Sequence, residues 1–479
     1  MKNRLPILTV LACFVISGSV LAQEKPVPAV YTLEQCIEYA KKNNISSVNA
    51  GLDEDIAKAK VKETIGIGLP QVSGSASINH NEKLRRFFTT YDQDGGFIDL
   101  SGVPGIQDGD VVAAQNFFQL KSSGDAGINI NQIIFNGSYV VGLQASQAFK
   151  DLAYKNANLT EEQLVQGVMK AYYAVLINKE RTELFTSNIA RVDSLFRSTK
   201  AMYENGFAES IDADRIQVTL NNLITERDKF INLNEIGIQL LKFQMNYPMN
   251  EPLDVAGNIQ DVQVNVNMDS YRQDWDYKSR PDYQVLEANQ RLQELNVRNQ
   301  YARTMPVLTA FANLGYTTQS PNVGGIFKTN SGIADANGVG PDKWYGYSMF
   351  GVSLNIPIFT GLQQTYKIQQ EKLSLQKINN SFIELKSGID LDVTKSTLQF
   401  ENAVRTLTSQ QQNMDLADRV ARITKIKYEQ GVGSNLEVVD AEDALRQAQT
   451  NYYGALFDAM IAKVDLDKAY GKLLTIERK

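Results

Sequence analysis

Hydrophobic and polar positions follow a helical period through one long stretch, residues 361–429. The stretch starts at Gly361, contains one further glycine, Gly388, and has no proline, so nothing inside it forces a helix to end. Its apolar stripe is spaced by 4, 7, 4 and 3 residues at Ile389, Val393, Phe400, Val404 and Leu407. This spacing predicts a single helix roughly 100 Å long, which is too long for an ordinary globular domain.

A different period precedes this helix. Residues 344–359 alternate between small or polar side chains and the apolar side chains of Phe350, Val352, Leu354, Ile356 and Ile358. A period of two predicts a strand with one apolar face. The strand enters the helix through Phe359-Thr360-Gly361.

The same arrangement occurs earlier in the chain. A strand pattern leads through Phe135-Asn136-Gly137 into another proline-free run, and this junction lies 224 residues before its counterpart. The two predicted helix breaks, Tyr203-Glu204-Asn205-Gly206 and Tyr428-Glu429-Gln430-Gly431, are 225 residues apart. The nearly equal offsets predict an internally duplicated unit of two strands and a long helical hairpin, in a mixed α and transmembrane β fold.

The duplication organises the whole chain. Residues 23–246 form the first repeat, residues 280–479 form the second, and residues 247–279 form a mixed connecting segment without a clear period. The first repeat is predicted to contain a helix capped by Thr32, strands at about 70–86 and 117–134, a polar loop at 89–116 and a helical hairpin at 137–246. The second is predicted to contain a helix, strands at about 305–318 and 344–359, and a helical hairpin at 361–473.

The N-terminus has the pattern of an export signal. Lys2 and Arg4 precede an apolar run at 7–20, and Val20-Leu21-Ala22 ends in a small residue, which predicts a signal peptide at 1–22. Its removal takes the formal net charge from -6 to -8, and no basic run suited to nucleic acid follows. The remaining thiol, Cys36, lies in an apolar pattern that predicts a buried position.

Any contact of the mature chain with a membrane is predicted to be made by strands, because no other stretch is apolar for 18 residues. Each predicted strand offers at least roughly 10 to 14 residues, enough to cross a bilayer at the usual tilt. Four strands are too few to close a barrel, so the pore is expected to be oligomeric. Aromatic residues of a membrane-interface girdle are expected at the loop ends of the strands: Phe87, Phe88, Phe117, Phe118, Tyr316, Trp344, Tyr345 and Tyr347.

The opening Leu33-Glu34-Gln35-Cys36-Ile37, the Phe-X-Gly junctions and the Tyr-X-X-Gly helix breaks resemble the TolC-like outer membrane efflux proteins, also called outer membrane factors. The resemblance covers essentially the whole mature chain. It implies a homotrimer whose 12-strand β-barrel in outer membrane lipid is continuous with a 12-helix periplasmic α-barrel. It also implies docking onto an inner-membrane pump through a periplasmic adaptor, a membrane fusion protein.

The resemblance further implies functional residues at the two helix breaks. The turns, with Asn205, Gly206, Gly431, Gly433 and Ser434, are expected to form the periplasmic tip and to contact the adaptor. Acidic residues matching the family's periplasmic gate are Asp212, Glu437 and Asp440, and Tyr428 matches a residue that can hydrogen-bond between helices. Gly433 stands where the family usually has an arginine, so this part of the gate is expected to differ. Acids in a first helical turn also stabilise a helix without any further role.

Catalytic chemistry has little support in the sequence. His80 is the only histidine, which disfavours a Ser-His-Asp triad or a histidine-based metal site. We find no phosphate-binding loop or dinucleotide fingerprint, so no enzyme activity, cofactor or metal is expected. The preferred hypothesis is an outer-membrane exit duct of a tripartite efflux or type I secretion system, a passive conduit for drugs, toxic small molecules or secreted peptides. The alternative is a structural periplasmic coiled-coil adaptor or spacer protein, which would not need the strands.

Overall fold

The computed structural model describes residues 29–94, 104–114, 116, 119–257, 259, 267–273, 275–327 and 344–474. Contacts divide the chain into two compact units. The first comprises Met1–Asn49, Thr160–Arg280 and Ile389–Lys479, and the second comprises Ala50–Leu159 and Pro281–Gly388. Each unit therefore draws on both predicted repeats. The predicted signal peptide at 1–22 lies outside the described residues.

Long helices account for most of the described chain. The helices are α1 (Leu33–Asn43), α2 (Ile45–Ile67), α3 (Gly137–Glu204), α4 (Ser210–Met245), α5 (Met268–Gln273), α6 (Pro281–Ala302), α7 (Val323–Ile326), α8 (Gln363–Glu429) and α9 (Asn435–Ala469). The two long helices predicted from the apolar period are present, since α3 has 68 residues and α8 has 67. Among the helices in the described part of the chain, none is long and apolar enough to cross a membrane.

The start of α1 shows why the helix begins where the sequence predicts. Thr32 accepts a hydrogen bond from the backbone N–H of Gln35 at 3.3 Å, and the Gln35 side chain accepts one from the backbone N–H of Thr32 at 2.9 Å. This reciprocal pair is a capping box, which satisfies two donors that a helix start leaves free. Asn44 then separates α1 from α2 with extended backbone, and its side chain accepts from the N–H of Ser46 at 2.8 Å.

The strands are β1 (Ala29–Tyr31), β2 (Gln71–His80), β3 (Phe87–Thr90), β4 (Val111–Ala114), β5 (Ser122–Asn136), β6 (Leu253–Val255), β7 (Val307–Ser320) and β8 (Tyr345–Asn355). The second unit contains an antiparallel four-stranded sheet in the order β2-β5-β7-β8. β2 and β8 are its outer strands, and within the described residues each has one neighbour in the sheet.

The two faces of this sheet differ in chemistry, because opposite residues in the register share a face. One face, here called the apolar face, carries Val72, Ile78, Ile128, Ile130, Ala312, Leu314, Phe350 and Val352. The other, here called the polar face, carries Ser73, Ser75, Ser77, Asn129, Asn131, Asn313 and Thr317. The sheet therefore has the two chemically different faces that the period of two predicts.

The first predicted strand and the loop after it were wrong in detail. β2 ends at His80 rather than near residue 86, and Phe87 and Phe88 lie in β3. β3 pairs with β4, which lies inside the predicted polar loop at 89–116. β3 consists of β-forming Phe and Thr residues and β4 begins with two valines, but these short signals are hidden by the Gly- and Asp-rich composition around them. Phe117 and Phe118 of the predicted return strand lie outside the described residues, and β5 begins at Ser122.

The second pair of strands is shifted by a few residues from the prediction. β7 ends at Ser320 rather than at about 318, and β8 ends at Asn355 rather than at 359. Pro357 explains the early end of β8, because proline has no backbone N–H to donate to a neighbouring strand. The connecting segment at 247–279 contains β6, which pairs in parallel with β1, and the short helix α5.

The largest apolar core lies in the first unit. It combines buried residues of α1, α3, α4 and α9, among them Cys36, Val168, Leu176, Leu241, Met460 and Leu466. Cys36 is fully buried, as predicted, and burial raises the pKa of its thiol from 9.0 to about 12. The negative charge of Glu34 raises the pKa of Cys36 further.

Cys36 is expected not to react with a maleimide at pH 8 in the folded protein, because only the thiolate attacks and both burial and pKa suppress it. Because the pKa of Cys36 is raised in the folded state, the buried neutral thiol contributes its full share of the free energy of unfolding below about pH 9. This contribution is lost as the pH rises through about 12. Mass spectrometry after labelling, with and without denaturant, measures the reactivity of the Cys36 thiol with the maleimide. An introduced cysteine at the exposed Asn205 (Asn205→Cys) serves as the reactive control. Equal labelling of both positions in the native protein would contradict the buried assignment.

Candidate functional site

The turn after α3 reverses the chain through a glycine that adopts a left-handed conformation. Gly206 has φ +80°, and its N–H donates to the carbonyl of Tyr203 at 2.9 Å. The next residue, Phe207, donates its N–H to the carbonyl of Met202 at 2.8 Å. These two bonds form a Schellman motif, which satisfies the last carbonyls of a helix.

The turn after α8 repeats this geometry. Gly431 has φ +72°, and its N–H donates to the carbonyl of Tyr428 at 2.9 Å. Val432 donates to the carbonyl of Lys427 at 3.0 Å, and Gly433 donates to the same carbonyl at 3.1 Å. The two predicted breaks are therefore the same structural turn, and its positive φ explains the glycine in each.

Both turns expose an apolar side chain. Phe207 is 84% exposed and Val432 is 78% exposed, although the residue at this place of a Schellman motif commonly packs against the helix. Sequence reasoning missed this pair because it concentrated on the glycines. Their common signal is position, since each directly follows the turn glycine.

The polar residues of the two turns have local roles. The Asn205 side chain donates to the carbonyl of Ala201 at 2.7 Å. Ser434 is the N-cap of α9, and its hydroxyl accepts from the N–H of Glu437 at 3.2 Å. The Asp212 carboxylate accepts from the N–H of Glu209 at 3.3 Å, at the start of α4.

The three acids predicted for a gate lie at the starts of two helices. Asp212 is in the first turn of α4 and is half-buried, while Glu437 is in the first turn of α9 and is exposed. Asp440 follows on α9 and is also exposed. Asp212 and Glu437 thus occupy equivalent places after equivalent turns, where a carboxylate is stabilised by the helix dipole.

Tyr428 makes a hydrogen bond between helices, as its sequence position predicts. Its hydroxyl lies 3.2 Å from the hydroxyl of Thr199 and connects α8 to α3. The ring packs against an apolar cluster that includes Phe185, Leu195 and Val438. The bond is therefore supported by packing on one side.

Two further polar contacts connect α3 to α9, and sequence reasoning missed them. The Arg191 guanidinium donates to the carboxylate of Glu442 at 2.8 Å, and Glu442 is only 6% exposed. The Asn188 amide donates to Gln449 at 2.7 Å in a buried position. Polar residues on the apolar stripe of α9 were the available signal, but their partners lie about 250 positions away in sequence.

The predicted girdle aromatics have different surroundings. Tyr316 lies on the apolar face of the sheet and is exposed, whereas Tyr345 and Tyr347 lie on the polar face. Trp344 directly precedes β8, and its indole N–H donates to the carbonyl of Ile326 at 3.3 Å. Phe87 and Phe88 belong to the separate β3-β4 sheet, so the register does not place them on either face.

No group of three or more His, Cys, Asp or Glu side chains is placed to hold a metal ion within the residues that the structure describes.

Comparison with known proteins gives matches to outer membrane proteins, several of which are named as parts of efflux pumps. The family described as "Outer membrane efflux protein" matches residues 277–472. The outer membrane protein TolC of Vibrio cholerae is 20% identical over 477 residues, which cover 99% of this chain and 96% of that protein. The toluene efflux pump outer membrane protein TtgC of Pseudomonas putida is 24% identical over 326 residues, which cover 65% of this chain and 61% of that protein.

Solved structures show the same fold. The open state of the MtrE outer membrane channel of Neisseria gonorrhoeae superposes with a TM-score of 0.67 at 18% identity, covering 98% of each chain. The outer membrane protein VceC of Vibrio cholerae superposes with a TM-score of 0.65 at 13% identity, covering 92% of this chain and 96% of that one. The chain therefore matches the outer membrane efflux protein family over residues 277–472, and as a whole it has the fold of the outer membrane channels.

Proposed function

We propose that the protein is the outer-membrane exit duct of a tripartite efflux or type I secretion system, extending into the periplasm. The observation that carries this proposal is the four-stranded sheet, which has one apolar and one polar face and whose two outer strands each have one open edge among the residues that the structure describes. A sheet with an apolar face suits lipid on one side and water on the other. The family belongs to channel proteins rather than enzymes, so the proposed activity is passive conduction of drugs, toxic small molecules or secreted peptides.

The open edges of β2 and β8 support assembly from several copies. Backbone groups at a sheet edge have no partners in lipid, so a spanning sheet must close. Three copies of a four-stranded sheet give a 12-strand barrel, with β8 of one copy beside β2 of the next. In this homotrimer the duplicated helical hairpins, α3-α4 and α8-α9, provide the 12 helices of the periplasmic tunnel, and residues 247–279 connect the repeats. The near-equal lengths of α3 and α8 fit such a ring.

Aromatic contact with outer membrane lipid is proposed for part of the predicted girdle. Tyr316 on the apolar face and Trp344 directly before β8 are suited to this contact, because aromatic rings with a polar atom favour the membrane interface. Tyr345 and Tyr347 face the polar side instead, where a barrel holds water.

The periplasmic gate is proposed to consist of Asp212, Glu437 and Asp440, with Tyr428 holding two helices together. In a trimer these acids supply nine carboxylates around the entrance and create a negative potential. The Tyr428–Thr199 bond and the Arg191–Glu442 ion pair are contacts that a widening of the entrance would strain or break.

Glu437→Gln combined with Asp440→Asn is expected to lower the cation-to-anion permeability ratio about twofold and to weaken block by multivalent cations, because six carboxylates are removed. The measurement is the reversal potential of purified protein in a planar bilayer under a salt gradient. Unchanged selectivity and block would leave these acids with only their role in starting α9.

The turns that contain Gly206 and Gly431 are proposed to dock a periplasmic adaptor, a membrane fusion protein that connects the duct to an inner-membrane pump. The exposed Phe207 and Val432 support this, because they offer apolar surface at matching places. Crosslinking from Asn205→Cys or Ser434→Cys to the adaptor tests the docking position. Crosslinks found only near residues 247–279 would contradict it.

Membrane fractionation tests the function as a whole. An exit duct is expected in the outer membrane, extracted only by detergent and as an oligomer that heat dissociates into monomers. A periplasmic spacer of coiled coils would instead be soluble without detergent as a monomer, and that result would overturn the proposal.

A further inference from the structure

The four strands of the main sheet contain a single charged side chain, Asp125 on β5. The sequences of β2, β5, β7 and β8 are otherwise made of apolar, small and neutral polar residues, with His80 at the end of β2. A lone charge in a neutral sheet has a large influence on any ion that passes it, because the four strands themselves carry no opposite charge to compensate it.

The register places this carboxylate on the polar face. Asp125 lies opposite Ser77 on β2 and opposite Thr317 on β7. Thr317 in turn lies opposite Tyr345 on β8. The four residues paired in this row across the sheet, one on each strand, are thus polar. The charge of Asp125 points away from the apolar face that suits lipid.

Tyr347 holds the Asp125 carboxylate in position. The Tyr347 hydroxyl donates to Oδ1 of Asp125 at 3.0 Å across the intervening strand β7. The ring lies over two glycines, since a Cβ on Gly315 would meet the ring at 2.9 Å and a Cβ on Gly127 would meet the hydroxyl at 3.2 Å. Glycine at both positions gives the ring room to lie along the sheet and to reach the acid.

We propose that Asp125 is a selectivity-determining residue in the barrel part of the duct, separate from the acids that follow the helix turns. Three copies in the proposed trimer form a ring of carboxylates on the water-facing side, which favours cationic solutes and disfavours anionic ones. The inference rests on the proposed trimeric barrel and adds a second charge filter to it.

The test is the reversal potential of purified protein in a planar bilayer with a KCl gradient. At about 0.1 M salt, Asp125→Asn is expected to lower the cation-to-anion permeability ratio about threefold, and at about 1 M the effect is expected to vanish because the screening length falls from about 10 Å to about 3 Å. The effect is expected to persist when Glu437→Gln and Asp440→Asn are also present. Ser77→Asp in the Asp125→Asn protein is the matched rescue, because it returns a carboxylate to the same level of the same face.

Channels of normal conductance whose selectivity is unaffected by Asp125→Asn would overturn this inference and leave the exit duct intact. Wild-type protein that forms no channels would overturn the proposed duct and this inference with it. If Asp125→Asn prevents assembly, Ser77→Arg tests the same idea with Asp125 in place, since a cation opposite the acid is expected to lower the ratio as well; an unchanged ratio would count against the proposal.

Discussion

Asp467→Ala is expected to reduce the free energy of unfolding by about 3 kcal/mol, because it breaks a buried ion pair and leaves a lysine without its partner. Asp467 lies on α9 with its side chain fully buried. It pairs with Lys463 at 3.0 Å and accepts a hydrogen bond from the hydroxyl of Tyr271. The estimate is at the lower end of the range for such pairs because Lys463 keeps 22% of its side chain exposed and can reach water.

Urea unfolding of the detergent-solubilised protein, followed by tryptophan fluorescence, measures this loss. Asp465→Ala is the matched control, since Asp465 is two residues away, pairs with Lys170 at 2.5 Å and keeps 32% of its side chain exposed. Its loss is expected to be no more than about 1 kcal/mol. Replacing the three partners together, with Tyr271→Phe, Lys463→Met and Asp467→Leu, is expected to cost less than Asp467→Ala alone because no polar group is left unpaired. Equal losses for Asp465→Ala and Asp467→Ala would contradict the assignment.

Phe207→Asp combined with Val432→Asp is expected to raise drug sensitivity at least about tenfold in cells that depend on this duct. The two side chains are 84% and 78% exposed, so the change has little effect on the folded protomer. An adaptor that covers them would lose the apolar burial of two side chains per protomer, about 1.5–3 kcal/mol each, and would have to bury charge instead. A factor of ten corresponds to only about 1.4 kcal/mol.

Minimum inhibitory concentrations and adaptor pull-down measure the effect. Phe207→Leu with Val432→Leu is the control, because it keeps both surfaces apolar and is expected to retain resistance. Both variants must be present in the outer membrane at wild-type levels as heat-dissociable oligomers. Full resistance of the aspartate variant under those conditions would place adaptor docking elsewhere.

The long helices and the main strands were predictable because each has a sustained local signal. α8 runs through 67 residues without proline, and its end at Glu429 is set by a glycine two residues later that can adopt positive φ. Thr32 and Gln35 form a cap whose two members are three residues apart, so the signal is contained in a short window. Alternation over β5 and β8 predicted their faces for the same reason.

Contacts between distant segments were not predictable from one sequence. Tyr271 and Asp467 are 196 positions apart, and Asn188 and Gln449 are 261 positions apart, so neither pair leaves a local pattern. The β3-β4 pair escaped because each strand has only four residues, too few to establish a period. The hydrogen bond from Tyr347 to Asp125 could not be predicted either, because it depends on the register of β5, β7 and β8 against one another.

The order of strands in the sheet has a consequence for the time course of folding. β2 and β5 are connected by the segment that contains β3 and β4, and His80 lies beside Ser122. β7 and β8 are connected by the segment that contains α7, and Thr317 lies beside Tyr345. The pairing of β5 with β7 is different, because it brings together residues that are far apart in sequence, such as Ser122 and Ser320. Two hairpins can therefore form early, each from its own part of the emerging chain, whereas their union requires closure of a long intervening segment and is expected to be slow. Until β7 arrives, β5 retains an open edge, and the half-made sheet is exposed to mispairing with other chains.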